Sequence, residues 1–211
     1  VVHWRRMLQM RWPAAMPDQP ARHMLVWLSA HADWRADVAA QEPRLAAWFA
    51  QGLPAMVARR AADDPDPRLR LGVPLPPGEG KLRLALRVPQ QDVQRLQLPP
   101  ALDAVLTRGV PTDWQRALHA LASVAPARVF GAFAWQHLSG LPYVHACSDI
   151  DLLWQVESRT QADALAARLN AWEHAHARRV DGELCLPDGG AVNWRSEERR
   201  VGKECRSRWS P

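Results

Sequence analysis

Between Arg128 and Trp154 the chain combines features that few folds accommodate. An apolar run, Arg128-Val-Phe130, ends in Gly131; a short helical stretch follows, and then Ser148-Asp-Ile-Asp-Leu-Leu-Trp154. The last stretch has the apolar density of a buried strand, yet two aspartates sit one residue apart within it. Side chains two apart on a strand share a face, with Cα atoms roughly 6.5–7 Å apart. Asp149 and Asp151 therefore point one way, and Ile150, Leu152 and Trp154 the other. Carboxylates in such a strand are costly unless they bind something. A fixed pair suits Mg²⁺-dependent phosphoryl or nucleotidyl transfer, because the hard cation takes oxygen ligands and bridges phosphates. The glycine bend offers backbone N–H groups where a phosphate could dock. A second acidic pair, Asp181 and Glu183, lies on a later extended stretch, again on one face. Period two does not separate these two as the third carboxylate.

The rest of the pattern predicts an α+β protein that changes character around Pro99-Pro100. The first half, 16–100, reads as a small, mostly-sheet domain. Its strands are expected at His23–Leu28, Pro54–Arg60, Leu69–Leu75 and Lys81–Val88, with a helix opening at Glu42-Pro43. In the second half, 101–195, Thr112-Asp-Trp-Gln115 reads as a capping box opening a helix with Trp114, Leu118, Leu121 and Ala125 on one stripe. Strand 128–130, the short helix, strand 149–154 and a helix over 161–177 follow. The end is a hairpin, Arg179–Leu186 with Ala191–Trp194, joined through Pro187-Asp-Gly-Gly190. This order suits a mixed sheet with packed helices.

A net charge of +5 invites a nucleic-acid reading, but the excess lies in residues 1–15 and 196–211. The span 16–195 holds 19 basic and 19 acidic side chains and is neutral. Both ends read as non-native. The first fifteen residues precede Met16 without a clear period, and the last sixteen resemble translated vector sequence. Cys205 falls in that tail. Cys147 and Cys185 remain, with no zinc-type spacing and no apolar run of membrane length, so a reduced cytoplasmic protein is expected.

The glycine bend, Asp-x-Asp strand and later carboxylate resemble the nucleotidyltransferase superfamily, in which the strand ends in Gly-Ser or Gly-Gly. The combined motifs extend the likeness. Arg128-Val-Phe-Gly131, Leu138-Ser-Gly-Leu-Pro-Tyr143, Ser148–Trp154, Val180-Asp-Gly-Glu183 and Pro187–Trp194 resemble the malonate decarboxylase holo-acyl-carrier-protein synthases, also called phosphoribosyl-dephospho-CoA transferases. So do Arg22-His23, Gly52–Arg60 and Leu71–Pro77 in the first half, and the likeness spans roughly 20–195. Two positions depart from it: Ala132 stands where the superfamily has serine, and Met24 where an acidic residue is usual.

The resemblance implies a nucleotidyltransferase-like second domain. It implies that 2′-(5″-phosphoribosyl)-3′-dephospho-CoA moves from its triphosphate donor to a serine of the decarboxylase's acyl-carrier subunit, with release of pyrophosphate. Asp149 and Asp151, with Asp181 or Glu183, would be the Mg²⁺ ligands. Either Asp151 or the third carboxylate would lie near the serine hydroxyl. Gly131, Ala132 and Ser148 are candidate substrate contacts beside them. Arg59, Arg60, Lys81, Arg83 and Arg128 are candidate phosphate-binding cations; His145 reads as a loop residue and Cys147 as inert. The alternatives are another Mg²⁺-dependent nucleotidyltransferase acting on a small molecule or tRNA, or a non-catalytic module that docks a carrier protein. Neither a membrane nor a nucleic acid is an expected partner.

Overall fold

The computed structural model describes residues 20–195 apart from 62, 109 and 146. The segments read as non-native, 1–15 and 196–211, lie outside the described residues. The described chain divides into two units: 20–99 with 138–143, and 100–137 with 144–195.

The first unit is a six-stranded antiparallel sheet with one helix. Its strands are β1 (Leu25–Leu28), β2 (Arg35–Ala36), β3 (Ala55–Val57), β4 (Leu69–Pro74), β5 (Arg83–Val88) and β6 (Val93–Gln97), in the spatial order β2-β5-β4-β3-β1-β6. Helix α1 (Glu42–Ala50) carries Pro43 in its first turn and buries Leu45 and Trp48. On β5, Leu84, Leu86 and Val88 are buried and pair with Val73, Leu71 and Leu69. The expected alternation began two residues earlier, at Lys81. That start fails because Gly80 and Lys81 both take positive φ, 81° and 55°, and leave Leu82 exposed in the turn. Strand β1 likewise opens at Leu25 rather than His23, whose φ of 71° breaks the extended chain.

The second unit runs α2 (Leu102–Leu106), α3 (Thr112–Ala122), β7 (Arg128–Phe130), α4 (Gly131–Ser139), β8 (Ile150–Gln155), α5 (Arg159–His176), β9 (Val180–Cys185) and β10 (Ala191–Asn193). The sheet order is β10-β9-β8-β7. β8 and β9 are parallel, joined through α5, and the outer pairings are antiparallel. Thr112 is not the cap of α3: Pro111 holds that place without a side-chain bond. The cap-like arrangement occurs instead at α5, where Ser158 Oγ accepts the Gln161 N–H at 3.2 Å and Gln161 Oε1 accepts the Glu157 N–H at 2.8 Å.

One face of this sheet makes the core. Ile150, Leu152, Trp154, Val180 and Leu184 are buried there with Trp114, Leu118 and Leu121 of α3, Phe133 of α4, and Leu165, Leu169 and Trp172 of α5. Each such side chain contributes about 1.5–3 kcal/mol by leaving water. Trp114 meets Phe133 edge-on at 5.0 Å, and the Trp172 indole donates to the Ala117 carbonyl at 2.8 Å. Burying this face leaves residues of the other parity facing away from the helices.

Candidate active site

Asp151, Asp181 and Glu183 take that other parity and lie on the opposite face. Strand register places Phe130, Asp151 and Asp181 side by side across β7, β8 and β9. The next row holds Arg128, Leu153, Glu183 and Asn193. Neighbouring strands are about 4.8 Å apart, so Asp181 stands next to Asp151 while Glu183 is one repeat further along. Asp149 does not lie within the strand, which starts at Ile150; it is the last residue of the preceding loop. Ile150 N–H donates to the Arg179 carbonyl at 3.2 Å, which sets Asp149 beside Arg179.

Loop bonds explain why the strand starts late. The Ser148 N–H donates to the His145 carbonyl at 2.9 Å, and Ser148 Oγ accepts the His145 N–H at 2.9 Å. His145 Nδ1 in turn accepts the Cys147 N–H at 3.2 Å. Ser148 and His145 thus shape the turn that delivers Asp149.

Two glycines let the acidic residues approach. Gly131 opens α4 with φ 65°, and a Cβ there would fall 1.8 Å from Asp151 Oδ2. The Asp151 carboxylate therefore fills the volume a side chain at 131 would take, against the electropositive end of the helix. Gly182 has φ 154°, and a Cβ there would meet the Leu152 carbonyl at 2.1 Å. Only glycine lets β9 lie this close to β8 between Asp181 and Glu183. Asp181 is held firmly: its Oδ1 accepts the Gly182 N–H at 2.8 Å and Asn193 Nδ2 at 3.1 Å.

Among the described residues no three His, Cys, Asp or Glu side chains gather into a preformed metal cage. The acids share a face rather than close round a point. This donor set still fits Mg²⁺, which keeps several waters and is usually bound through one or two carboxylates plus substrate phosphates. All the oxygens offered are hard ligands. Like charges side by side on paired strands are destabilising, and a cation between them would relieve that cost.

The candidate cations are divided between the two units. Half-buried Arg128 lies on the carboxylate face, one row from Asp151, and burial pushes its pKa down. Arg59, Arg60, Lys81 and Arg83 are exposed residues of the first unit, and Arg60 donates to the Asp64 carbonyl at 2.7 Å. Ala132 is half-buried in the first turn of α4. Two residues at the site escaped the sequence reading. Arg179 is exposed beside Asp149, and its guanidinium makes no hydrogen bond or ion pair among the described residues. Asn193 reaches Asp181 across the final hairpin. The parity of 179, 181 and 183 was the available signal for the first; the second needed strand register.

Comparison with known proteins adds to this geometry. The profile of the phosphoribosyl-dephospho-CoA transferase MdcG N-terminal domain matches residues 21–99, and that of its C-terminal domain matches 97–201. A phosphoribosyl-dephospho-CoA transferase of Xanthomonas campestris pv. campestris (strain 8004) is 53% identical over 179 residues, covering 82% of this chain and 84% of its own. One from Bradyrhizobium diazoefficiens is 40% identical over 186 residues, covering 83% and 81%. One from Pseudomonas putida (strain W619) is 34% identical over 135 residues, covering 59% and 63%. No solved structure matches.

Proposed function

The chain belongs to the phosphoribosyl-dephospho-CoA transferase family, and from that premise we propose that it attaches 2′-(5″-phosphoribosyl)-3′-dephospho-CoA to a serine of the malonate decarboxylase acyl-carrier subunit. The donor is the corresponding triphosphate, and the reaction is of the nucleotidyltransferase class. The observation that carries this reading is the placement of Asp151 beside Asp181, over Gly131, with Asp149 immediately before the strand. Asp149, Asp151 and Asp181 would hold Mg²⁺. When bound, the ion neutralises charge on the donor phosphates and on the departing pyrophosphate.

The serine Oγ forms a bond to the phosphorus nearest the ribose while the bond from that phosphorus to pyrophosphate breaks. The hydroxyl proton passes to Asp151 or Asp181. The carboxylates fix the metal-binding edge, and the glycine bend keeps Asp151 close to the start of α4. Arg179 and Arg128 are the nearby cations for phosphate oxygens. A cytoplasmic setting with reduced thiols is part of the same proposal.

Asp149→Ala and Asp151→Ala should each cut Mg²⁺-dependent pyrophosphate release by at least about 10²-fold, with unchanged circular dichroism and melting temperature. Full activity in either variant would sink the proposal. Release that proceeds equally well without the carrier protein would favour a small-molecule or tRNA acceptor.

A further inference from the structure

Asp181 carries both of its hydrogen bonds on one oxygen. Oδ1 accepts the Gly182 N–H and the Asn193 side-chain amide, whereas Oδ2 accepts none among the described residues. The Asn193 amide is itself oriented: its Oδ1 accepts the Arg195 N–H at 2.8 Å, which turns Nδ2 toward Asp181. A carboxylate held this way cannot rotate freely, and its unshared oxygen is left for a ligand. We infer that Asn193 is a positioning residue: it clamps Asp181 Oδ1 so that Oδ2 is presented to the divalent cation. The inference rests on the three-carboxylate reading above and gives Asn193 a role that acts through Asp181. The final hairpin thereby becomes part of the site, because β10 supplies the side chain that fixes the acid on β9.

The test is Mn²⁺ binding to the full chain, followed by the electron paramagnetic resonance of the free ion, alongside the Mg²⁺ dependence of pyrophosphate release. Asn193→Ala should weaken Mn²⁺ binding about tenfold and raise the Mg²⁺ concentration for half-maximal rate by the same factor. The rate at saturating Mg²⁺ and the melting temperature should stay near wild type, and Asn193→Gln should restore part of the affinity. A merely structural role would lower the melting temperature and leave the Mg²⁺ dependence alone. Wild-type Mn²⁺ affinity in Asn193→Ala, with binding lost in Asp181→Ala, would overturn the clamp alone. Unchanged Mn²⁺ binding in Asp181→Ala, or no binding by the unsubstituted chain, would overturn the carboxylate site and the clamp together.

Discussion

Gly131 and Asp151 contend for one volume, and the carboxylate has it. Gly131→Ala should therefore fail in two ways. An L-residue held at positive φ costs about 1–2 kcal/mol, and the new methyl would drive Asp151 Oδ2 from its place. Displacing a reacting group by about 1 Å can cost about 10²-fold in rate. Pyrophosphate release should fall by that order and urea denaturation should show the stability loss. Adding Asp151→Ala should recover part of the stability and none of the activity. Wild-type turnover in Gly131→Ala would mean that Asp151 does not need this position. Alternation along β9 made the shared face of Asp181 and Glu183 legible in the sequence, but it carried Asp149 into a strand that begins only at Ile150. It could not set one strand against another. That Asp151 faces Asp181, and that Asn193 reaches across to it, depends on register fixed by the whole sheet.

The elements around the site were legible where apolar periodicity was strong. Trp114, Leu118 and Leu121 on α3, and Leu165, Leu169 and Trp172 on α5, are buried as their spacing requires. Short or polar elements were not: β6 reads Val-Gln-Arg-Leu-Gln, and α2 is only five residues long. Each is made by its partners rather than by its own pattern; β6, for instance, is defined by its pairing with β1. Gly182 shows the same dependence at the β8–β9 seam. A sequence reader sees a glycine inside a strand, whereas the fold uses it to bring two backbones together. Gly182→Ala would set a Cβ against the Leu152 carbonyl of the neighbouring strand, an atom that cannot rotate away. The expected cost is at least about 2 kcal/mol, read as a lower urea midpoint, with loss of pyrophosphate release because Asp181 and Asp151 separate. A neutral effect would show that the seam can relax without disturbing the acids.

At the scale of the whole molecule, net charge and linear order both misdirect. The basic excess belongs to the ends of the chain, so it says nothing of the carboxylate face in the neutral middle. Residues 138–143, the last two of α4 and the loop after it, cluster with 20–99 rather than with their neighbours in sequence. Tyr143 anchors them: buried, it donates its hydroxyl to the Pro74 carbonyl at 2.8 Å, close to the Arg44–Glu79 ion pair. Burial is the main cause of a pKa well above the usual phenol range; the negative charge of Glu79 adds to it and Arg44 opposes it. The folded state therefore holds the phenolic proton more tightly than the unfolded chain does. Its contribution to stability is complete below about pH 10 and is lost as pH rises toward the folded value. Tyr143→Phe should cost about 1–3 kcal/mol at neutral pH by leaving the Pro74 carbonyl without its donor, and should flatten the alkaline fall in urea midpoint. Because Tyr143 is the only tyrosine of the chain, phenolate absorbance reports on it directly. Titration near pH 10 in the folded protein would show that the hydroxyl is open to water, and that segment 138–143 is not fastened to β4 as described.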